Sequence, residues 1–185
     1  VKRPGPSVES IPEGDTRTRL VCPDCGYVEY DNPKIVVGAV CFWEAGTLLC
    51  RRAIAPARGL WTYPAGFMEL GESTAEGAAR EVWEEAQARV AVESLLGVYE
   101  IPHINQVYLL FRARLRDLDF APGAESLEVA LFREAEIPWD LLAFPVVRET
   151  LRMYFADRAQ GVFPVRVGDI ERLPGVGWNY RIGFL

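Results

Sequence analysis

Residues 66–88 constrain the chain more than any other stretch. Ser73 followed by Glu76 is a capping box: the hydroxyl accepts an orphan amide of the first turn and the carboxylate reaches back to the cap. The spacing predicts a helix over 73–88. At about 100° per residue, Ala75, Ala78, Ala79, Val82 and Ala86 fall on one narrow face. Small side chains there require a sheet close against the helix. Taking Glu81 as zero, Glu85 lies about 40° to one side and Glu84 about 60° to the other, so three carboxylates share an arc distinct from the alanine face.

Like charges this close repel, and an i,i+4 pair of them destabilises an isolated helix. A divalent cation removes that cost, and Mg²⁺ takes hard oxygen ligands while bridging to substrate phosphates. Arg80 can pair with Glu84 one turn on and fix its rotamer. Before the helix, Gly66 and Gly71 permit backbone shapes closed to other residues, so the loop can turn a carbonyl, or Glu72, back toward the cluster. Three acidic residues alone are more often a solvated helix face than a metal site; the whole pattern is what separates the two readings.

Gly66, Glu72, Arg80, Glu81, Val82, Glu84 and Glu85 resemble the signature of the Nudix hydrolases, G-x5-E-x7-R-E-U-x-E-E-x-G-U, where U is a bulky aliphatic residue. Six fixed residues at such spacing coincide by chance on the order of once in ten million starts, at about one in twenty per position. Gln87 and Ala88 depart from the glycine and aliphatic that close the signature. The resemblance implies an α/β (α+β) fold, a mixed β-sheet sandwiched between helices. It implies Mg²⁺ or Mn²⁺ held by Glu81, Glu84 and Glu85 with help from the Gly66 carbonyl, Arg80 orienting carboxylates, and Glu72 supporting the loop.

The rest of the chain agrees with one domain and an appendage. It has 185 residues, half of them hydrophobic, enough for a full core. Apolar β-rich runs at 35–42 and 47–51 read as a hairpin across Glu44 and Gly46; further runs lie at 92–100, 107–115 and 127–132. A second helix is expected over 145–159, with Pro145 in its first turn and Gly161 past its end. Residues 161–185 show no clear period and read as a tail. The expected organisation is 1–33 as a ribbon-like segment, 34–160 as the Nudix domain and 161–185 as the tail. A net charge of −6 without a Lys/Arg run disfavours nucleic acid as a partner. No stretch reaches the roughly 18–20 apolar residues of a membrane span, so the expected place is the cytoplasm.

Further motifs narrow the resemblance. Ile11-Pro-Glu-Gly-Asp15, Val21-Cys-Pro-Asp-Cys-Gly26, Asn32-Pro-Lys-Ile-Val-Val-Gly38, Trp61-Thr-Tyr-Pro-Ala-Gly66 and Pro122-Gly-Ala-Glu-Ser-Leu-Glu128 resemble a subgroup with an N-terminal zinc ribbon, which includes the plant chloroplast pyrophosphatase acting on FAD and ADP-ribose. Cys22 and Cys25 supply two of the four ligands a structural zinc needs; Val1 and Pro4 stand where the other pair would be. The expectation is a degenerate ribbon that holds its shape by packing, with zinc as the alternative.

The substrate is accordingly expected to be a small nucleotide compound, ADP-ribose or FAD, with NADH or another dinucleotide, or nucleotide sensing without cleavage, as alternatives. Arg51 and Arg52 could hold the diphosphate, and Trp61 and Tyr63 could stack on a base. In some relatives a late glutamate accepts the proton, which makes Glu125 and Glu128 candidates. His103, the single histidine, sits in a loop that could border a ligand. Relatives are often dimers, which leaves a homodimer open.

Overall fold

The computed structural model describes residues 5–174 and 179–185. Val1 and Pro4 lie outside them. The chain divides into two compact units, Val1–Pro33 and Lys34–Leu185.

In the first unit β1 (Val8–Ser10), β2 (Arg19–Val21) and β3 (Val28–Glu29) form an antiparallel sheet in that order. Between β2 and β3 the C-x-x-C closes as a knuckle. Gly26 N–H donates to the Cys22 carbonyl at 2.9 Å, and Cys22 N–H to that of Tyr27 at 2.8 Å. Gly26 takes φ +72°, the left-handed region glycine enters freely.

The second unit is built on one mixed sheet. Its strands are β4 (Lys34–Trp43), β5 (Gly46–Arg52), β6 (Trp61–Thr62), β7 (Ala65–Phe67), β8 (Val90–Ile101), β9 (Gln106–Leu115), β10 (Ser126–Phe132), β11 (Arg166–Arg172) and β12 (Tyr180–Phe184). The order is β10-β5-β4-β9-β8-β11-β12, with β6 attached to β5 and β7 to β4. β4 runs parallel to β9, and β8 to β11; the other pairings are antiparallel. Helices α1 (Thr74–Ala86) and α2 (Pro145–Gln160) cover its two faces. Alternation along the strands sends Ala39, Cys41, Leu48 and Cys50 toward Val82 and Ala86 of α1. Val40, Leu49, Leu96 and Leu110 go to the other face, with Val147 and Leu151 of α2.

The sheet splits. β4 and β5 pair only where Cys41–Trp43 meet Gly46–Leu48. Beyond that, β7 takes the edge of β4 at Val36–Gly38, and β6 takes that of β5 at Cys50 and Arg51. Side chains from α1, on one face, can therefore reach a cavity opening on the other.

The helices and the five strands expected up to residue 160 are present, with ends shifted by a few residues. The C-terminal stretch differs from the tail expected there: β11 joins β8 in parallel and β12 folds back on β11. This pairing is long-range and depends on close approach. A Cβ on Gly168 would stand 2.6 Å from the Gly183 carbonyl oxygen, which no local hydrophobic period reports. Among the described residues no helix is long and apolar enough to cross a membrane.

Candidate active site

The N-terminus of α1 is fixed as its sequence requires. Ser73 Oγ accepts from Glu76 N–H, and Glu76 accepts from Ser73 N–H at 2.8 Å. Gly77 then lets the helix lie on the sheet, because a Cβ there would stand 2.9 Å from Val37 Cγ2 and 2.6 Å from Glu72 Oε1. Close docking buries Glu81 and Glu85, each 8% exposed, beside the alanine face, whereas Glu84 stays open to solvent.

Arg80 ties the loop to the helix. Its Nε and Nη2 donate to Glu72 at 3.0 and 2.8 Å, and Nη1 reaches Glu81 at 2.7 Å and Glu84 at 3.0 Å. Nη2 also donates to the Phe67 carbonyl at 3.0 Å. Arg80, with the Glu69 amide, holds the Glu72 carboxyl down to about 2. Glu85 behaves oppositely: burial first, then the nearby Glu81 charge, push it up to about 8. Burial also raises Glu81.

This donor set fits a divalent cation. Three hard carboxylates share one helix face, and two of them are buried with more negative charge around them than Arg80 and Arg52 offset. Glu84 and Glu81 currently share the Arg80 guanidinium. Among the described residues no three His, Cys, Asp or Glu side chains form a ready chelate.

A second acidic group approaches from the loop before β10, which is stapled to the end of α1. Ala121 N–H donates to the Ala86 carbonyl at 2.9 Å, and Gly123 N–H to that of Glu85 at 3.0 Å. A Cβ on Gly123 would collide with the Glu84 carbonyl, so only glycine lets the loop lie this close. Glu125 is thereby delivered to the carboxylate cluster and adds to the upward push on Glu81 and Glu85.

These groups border a cavity of about 1000 Å³ on the split side of the sheet, the upper end of the size range for small-molecule sites. Glu81, Glu84, Glu85 and Glu125 line it with Arg52; Tyr63, Phe67, Ile101, Tyr108 and Phe144 form apolar wall. Arg52 Nε donates to the Pro56 carbonyl at 2.9 Å, and its guanidinium stands 5.4 Å from the Phe144 ring centre. Both contacts aim it along the wall.

Several sequence candidates lie elsewhere. Arg51 alternates to the opposite side of β5, where it donates to the Gly59 carbonyl and pairs with Glu128 at 3.6 Å. Neither Arg51 nor Glu128 borders the cavity: a register shift between Ser126 and Glu128 carries Glu128 onto the strand, opposite Arg51. Trp61 is core, 7% exposed and edge-on to Phe132 with ring centres 4.9 Å apart, so it offers no stacking face. Tyr63 reaches the cavity but is 1% exposed, a floor and not a platform. Gly66 lies against Glu81: a Cβ there would stand 2.3 Å from Glu81 Oε2. Cys22 is buried and Cys25 exposed; both are free thiols. His103, Ile170 and Tyr180 also line the cavity, and the last two come from strands with no sequence signal.

Comparison with known proteins gives the family and the fold. A family model described as NUDIX domain matches residues 32–153, and one described as Nudix N-terminal, a zinc-ribbon type, matches residues 5–31. The crystal structure of a NUDIX hydrolase from Nitrosomonas europaea is 53% identical and superposes with a TM-score of 0.83, covering 89% of this chain and 95% of its own. An ADP-ribose pyrophosphatase of Methanocaldococcus jannaschii is 37% identical over 76 residues, 41% of this chain and 45% of that protein. The NAD-capped RNA hydrolase NudC of Pseudomonas syringae pv. tomato is 28% identical over 151 residues, 77% and 53% of the two chains. The chain spans about half the length of the curated relatives it matches.

Proposed function

The chain belongs to the Nudix hydrolase family, and from that premise we propose that it hydrolyses the diphosphate of a nucleoside diphosphate joined to a second moiety, ADP-ribose or FAD, releasing AMP. The observation that carries this reading is one cavity bordered by Glu81, Glu84, Glu85, Glu125 and Arg52 and continued by apolar wall. The motifs around Trp61–Gly66 and Pro122–Glu128, similar to those of the plant chloroplast pyrophosphatase, and the archaeal relative named ADP-ribose pyrophosphatase support this substrate class.

Glu81, Glu84 and Glu85, with the Gly66 carbonyl, would hold Mg²⁺ or Mn²⁺, which when bound polarises phosphoryl oxygens and offsets charge developing on the leaving phosphate. Arg52 faces the diphosphate and orients it. Glu125, on a loop anchored to α1, accepts the proton of the attacking water, a role Glu128 cannot take from its place beside Arg51. The new P–O bond forms as the bridging P–O bond breaks, giving AMP and ribose 5-phosphate from ADP-ribose, or AMP and FMN from FAD. Arg80 sets the rotamers of Glu81 and Glu84, and Glu72 holds Arg80.

The charge balance bears on substrate choice. Glu69, Glu81, Glu84, Glu85 and Glu125 line the cavity against Arg52 and Arg80, and Arg80 is engaged by three carboxylates. A triphosphate brings more negative charge than a diphosphate diester and, among the described residues lining the cavity, meets no Lys or Arg beyond these two. The setting we propose is the cytoplasm, whose reducing poise suits four free thiols. We propose no zinc for Cys22 and Cys25.

The test is kcat/KM at saturating Mg²⁺ for ADP-ribose, FAD, NADH, nucleoside triphosphates and diadenosine polyphosphates. ADP-ribose or FAD is expected to lead. A triphosphate ahead of both by tenfold, about 1.4 kcal/mol of transition-state preference, sinks the substrate assignment; no turnover of any compound makes the domain a sensor. NADH is the second reading, favoured by the relatives named NAD-capped RNA hydrolase.

A further inference from the structure

Gln106 and Tyr108 stand two residues apart on β9, the middle strand of the sheet, so both side chains face the cavity that the glutamates border. Their backbone is held from both sides. Gln106 pairs with Lys34 on β4 and Ile101 on β8, and Tyr108 with Val36 and Tyr99. The turn before them is pinned as well: Lys34 N–H donates to the Asn105 carbonyl at 2.9 Å, and Asn105 N–H to that of Pro102 at 3.1 Å.

The fold makes no use of their polar groups. Both residues are half-buried, yet among the described residues neither the Gln106 amide nor the Tyr108 hydroxyl makes a hydrogen bond. A partly desolvated amide without a partner costs free energy, and a β-branched or aromatic residue would serve a strand paired on both edges better. Burial raises the Tyr108 phenol above its ordinary value, against the pull of the nearby Arg52 charge. The group therefore stays a hydroxyl, able to donate and to accept. Tyr108 gives its ring to the cavity wall and its oxygen to the space in front.

The pair lies beside the place where a diphosphate would sit. Phe67 on β7, Val36 on β4 and Tyr108 on β9 form one row, which puts Tyr108 two strand spacings, roughly 10 Å, from the loop at Gly66. A diphosphate held between the glutamates and Arg52 would present its flanking group to β9. That group must suit two neutral side chains, each of which both donates and accepts. A charged group would need an opposite charge, and the face of a ring offers no complement to an amide. A run of hydroxyls does, since every oxygen in it donates and accepts.

We propose that Gln106 and Tyr108 are specificity-determining residues: they hydrogen-bond the hydroxyls of a sugar or polyol joined directly to the diphosphate. The inference rests on the diphosphate hydrolysis proposed above, and its test is a binding measurement that does not depend on turnover. AMP, 2′-deoxy-AMP, 3′-deoxy-AMP, ribose 5-phosphate and 2-deoxyribose 5-phosphate are titrated calorimetrically into the full chain with Mg²⁺. The proteins are wild type, Tyr108→Phe, which removes one oxygen and keeps the ring, and Gln106→Met, which keeps the length and removes the amide.

Wild type is expected to bind AMP or ribose 5-phosphate about fivefold more tightly than a deoxy form of the same compound, the scale of one neutral hydrogen bond. At least one of the two variants weakens the complete compound by a similar factor and leaves that deoxy form within about twofold, because a site built around a hydroxyl loses only what the hydroxyl supplied. Whether AMP or ribose 5-phosphate responds identifies which side of the diphosphate lies on β9. Equal loss for complete and deoxy forms in both variants, no loss in either, a wild type indifferent to every hydroxyl, or no saturable binding of either parent compound overturns the proposal. Absence of ADP-ribose or FAD turnover with the hydroxyl dependence intact overturns the hydrolysis instead.

Discussion

The Glu81 carboxylate occupies the space that a side chain on Gly66 would need. The signature glycine thus does two things: its lack of a Cβ admits the carboxylate, and the carboxylate is buried against backbone to only 8% exposure. Gly66→Ala forces the far end of a flexible side chain to move, which the fold tolerates but the site does not. The expected outcome is a melting temperature within a few degrees of wild type with hydrolysis reduced about 100-fold or more. Normal activity in Gly66→Ala would mean that Glu81 is free to act from elsewhere.

Glu85 stands buried near Glu81 and Glu125, and burial pushes its carboxyl up to about 8. A carboxylate in such surroundings costs the fold, while its charge serves cation binding. Glu85→Gln keeps the size and removes the charge. We expect it, like Glu84→Gln, to abolish turnover, while in chelator at pH 8 its urea midpoint is no lower than wild type. Added Mg²⁺ raises the wild-type midpoint and leaves that of Glu85→Gln where it was. Near-normal turnover in both variants removes the metal assignment.

Gln87 closes α1 with φ +49° and ψ +26°, the left-handed cap that the signature fills with glycine. A side chain in that region costs about 1 kcal/mol, and the Gln87 Nε2 contact to the Pro122 carbonyl at 3.4 Å returns little. Gln87→Gly is therefore expected to stabilise the protein by about 1 kcal/mol in urea denaturation. Gln87→Ala, which keeps the Cβ, gains nothing. Equal effects of the two would trace the change to the side chain and not the backbone.

Arg112 lies between two aromatic rings, 4.2 Å from the centre of Phe42 and 4.4 Å from that of Phe163, and also pairs with Glu93. It connects β4 and β9 to the segment after α2. With two partly desolvated ring contacts, Arg112→Ala is expected to cost about 2 kcal/mol. Glu93→Gln, which spares the rings, costs less than about 1 kcal/mol. Reversed magnitudes in urea titrations would make the ion pair, not the rings, the stabilising contact.

The sequence was most legible where chemistry and local structure coincide. Ser73 and Glu76 announce their helix by a local rule, and Glu81, Glu84 and Glu85 follow from helical geometry once the helix is placed. Arg80 pairs one turn on with Glu84 for the same reason. What escaped depends on long-range pairing. Arg51 and Arg52 are indistinguishable until β5 is paired, when alternation sends Arg52 to the cavity and Arg51 to Glu128. Glu125 and Glu128 differ only through the register shift between Ser126 and Glu128 and the bonds from 121–123 to α1. The hydrophobicity of Trp61 is equally consistent with a platform and with core, and packing on Phe132 decides for core. Tyr180 had no signal because β12 pairs with a strand that itself pairs with β8, more than 60 residues away.

That remote strand is also tied to α2. Asp157 near the end of α2 accepts from Arg166 at the start of β11 through both oxygens, at 2.5 and 2.6 Å, with the Asp157 side chain 6% exposed. Removing Arg166 leaves a buried carboxylate unpaired, which typically costs about 3 kcal/mol, whereas replacing both partners with apolar groups removes the charge along with its need. Arg166→Met is thus expected to destabilise by about 3 kcal/mol, and the double variant Asp157→Leu/Arg166→Met to recover much of the loss; a cycle of the four proteins isolates the coupling. The same tie holds the hairpin that carries Tyr180. Arg166→Met should therefore speed amide exchange in 166–172 before the rest of the sheet opens, and, because Ile170 of β11 lines the cavity, raise KM more than it lowers kcat. If stability falls while exchange in the hairpin and KM stay as in wild type, the ion pair supports α2 alone and the cavity wall is held by the sheet.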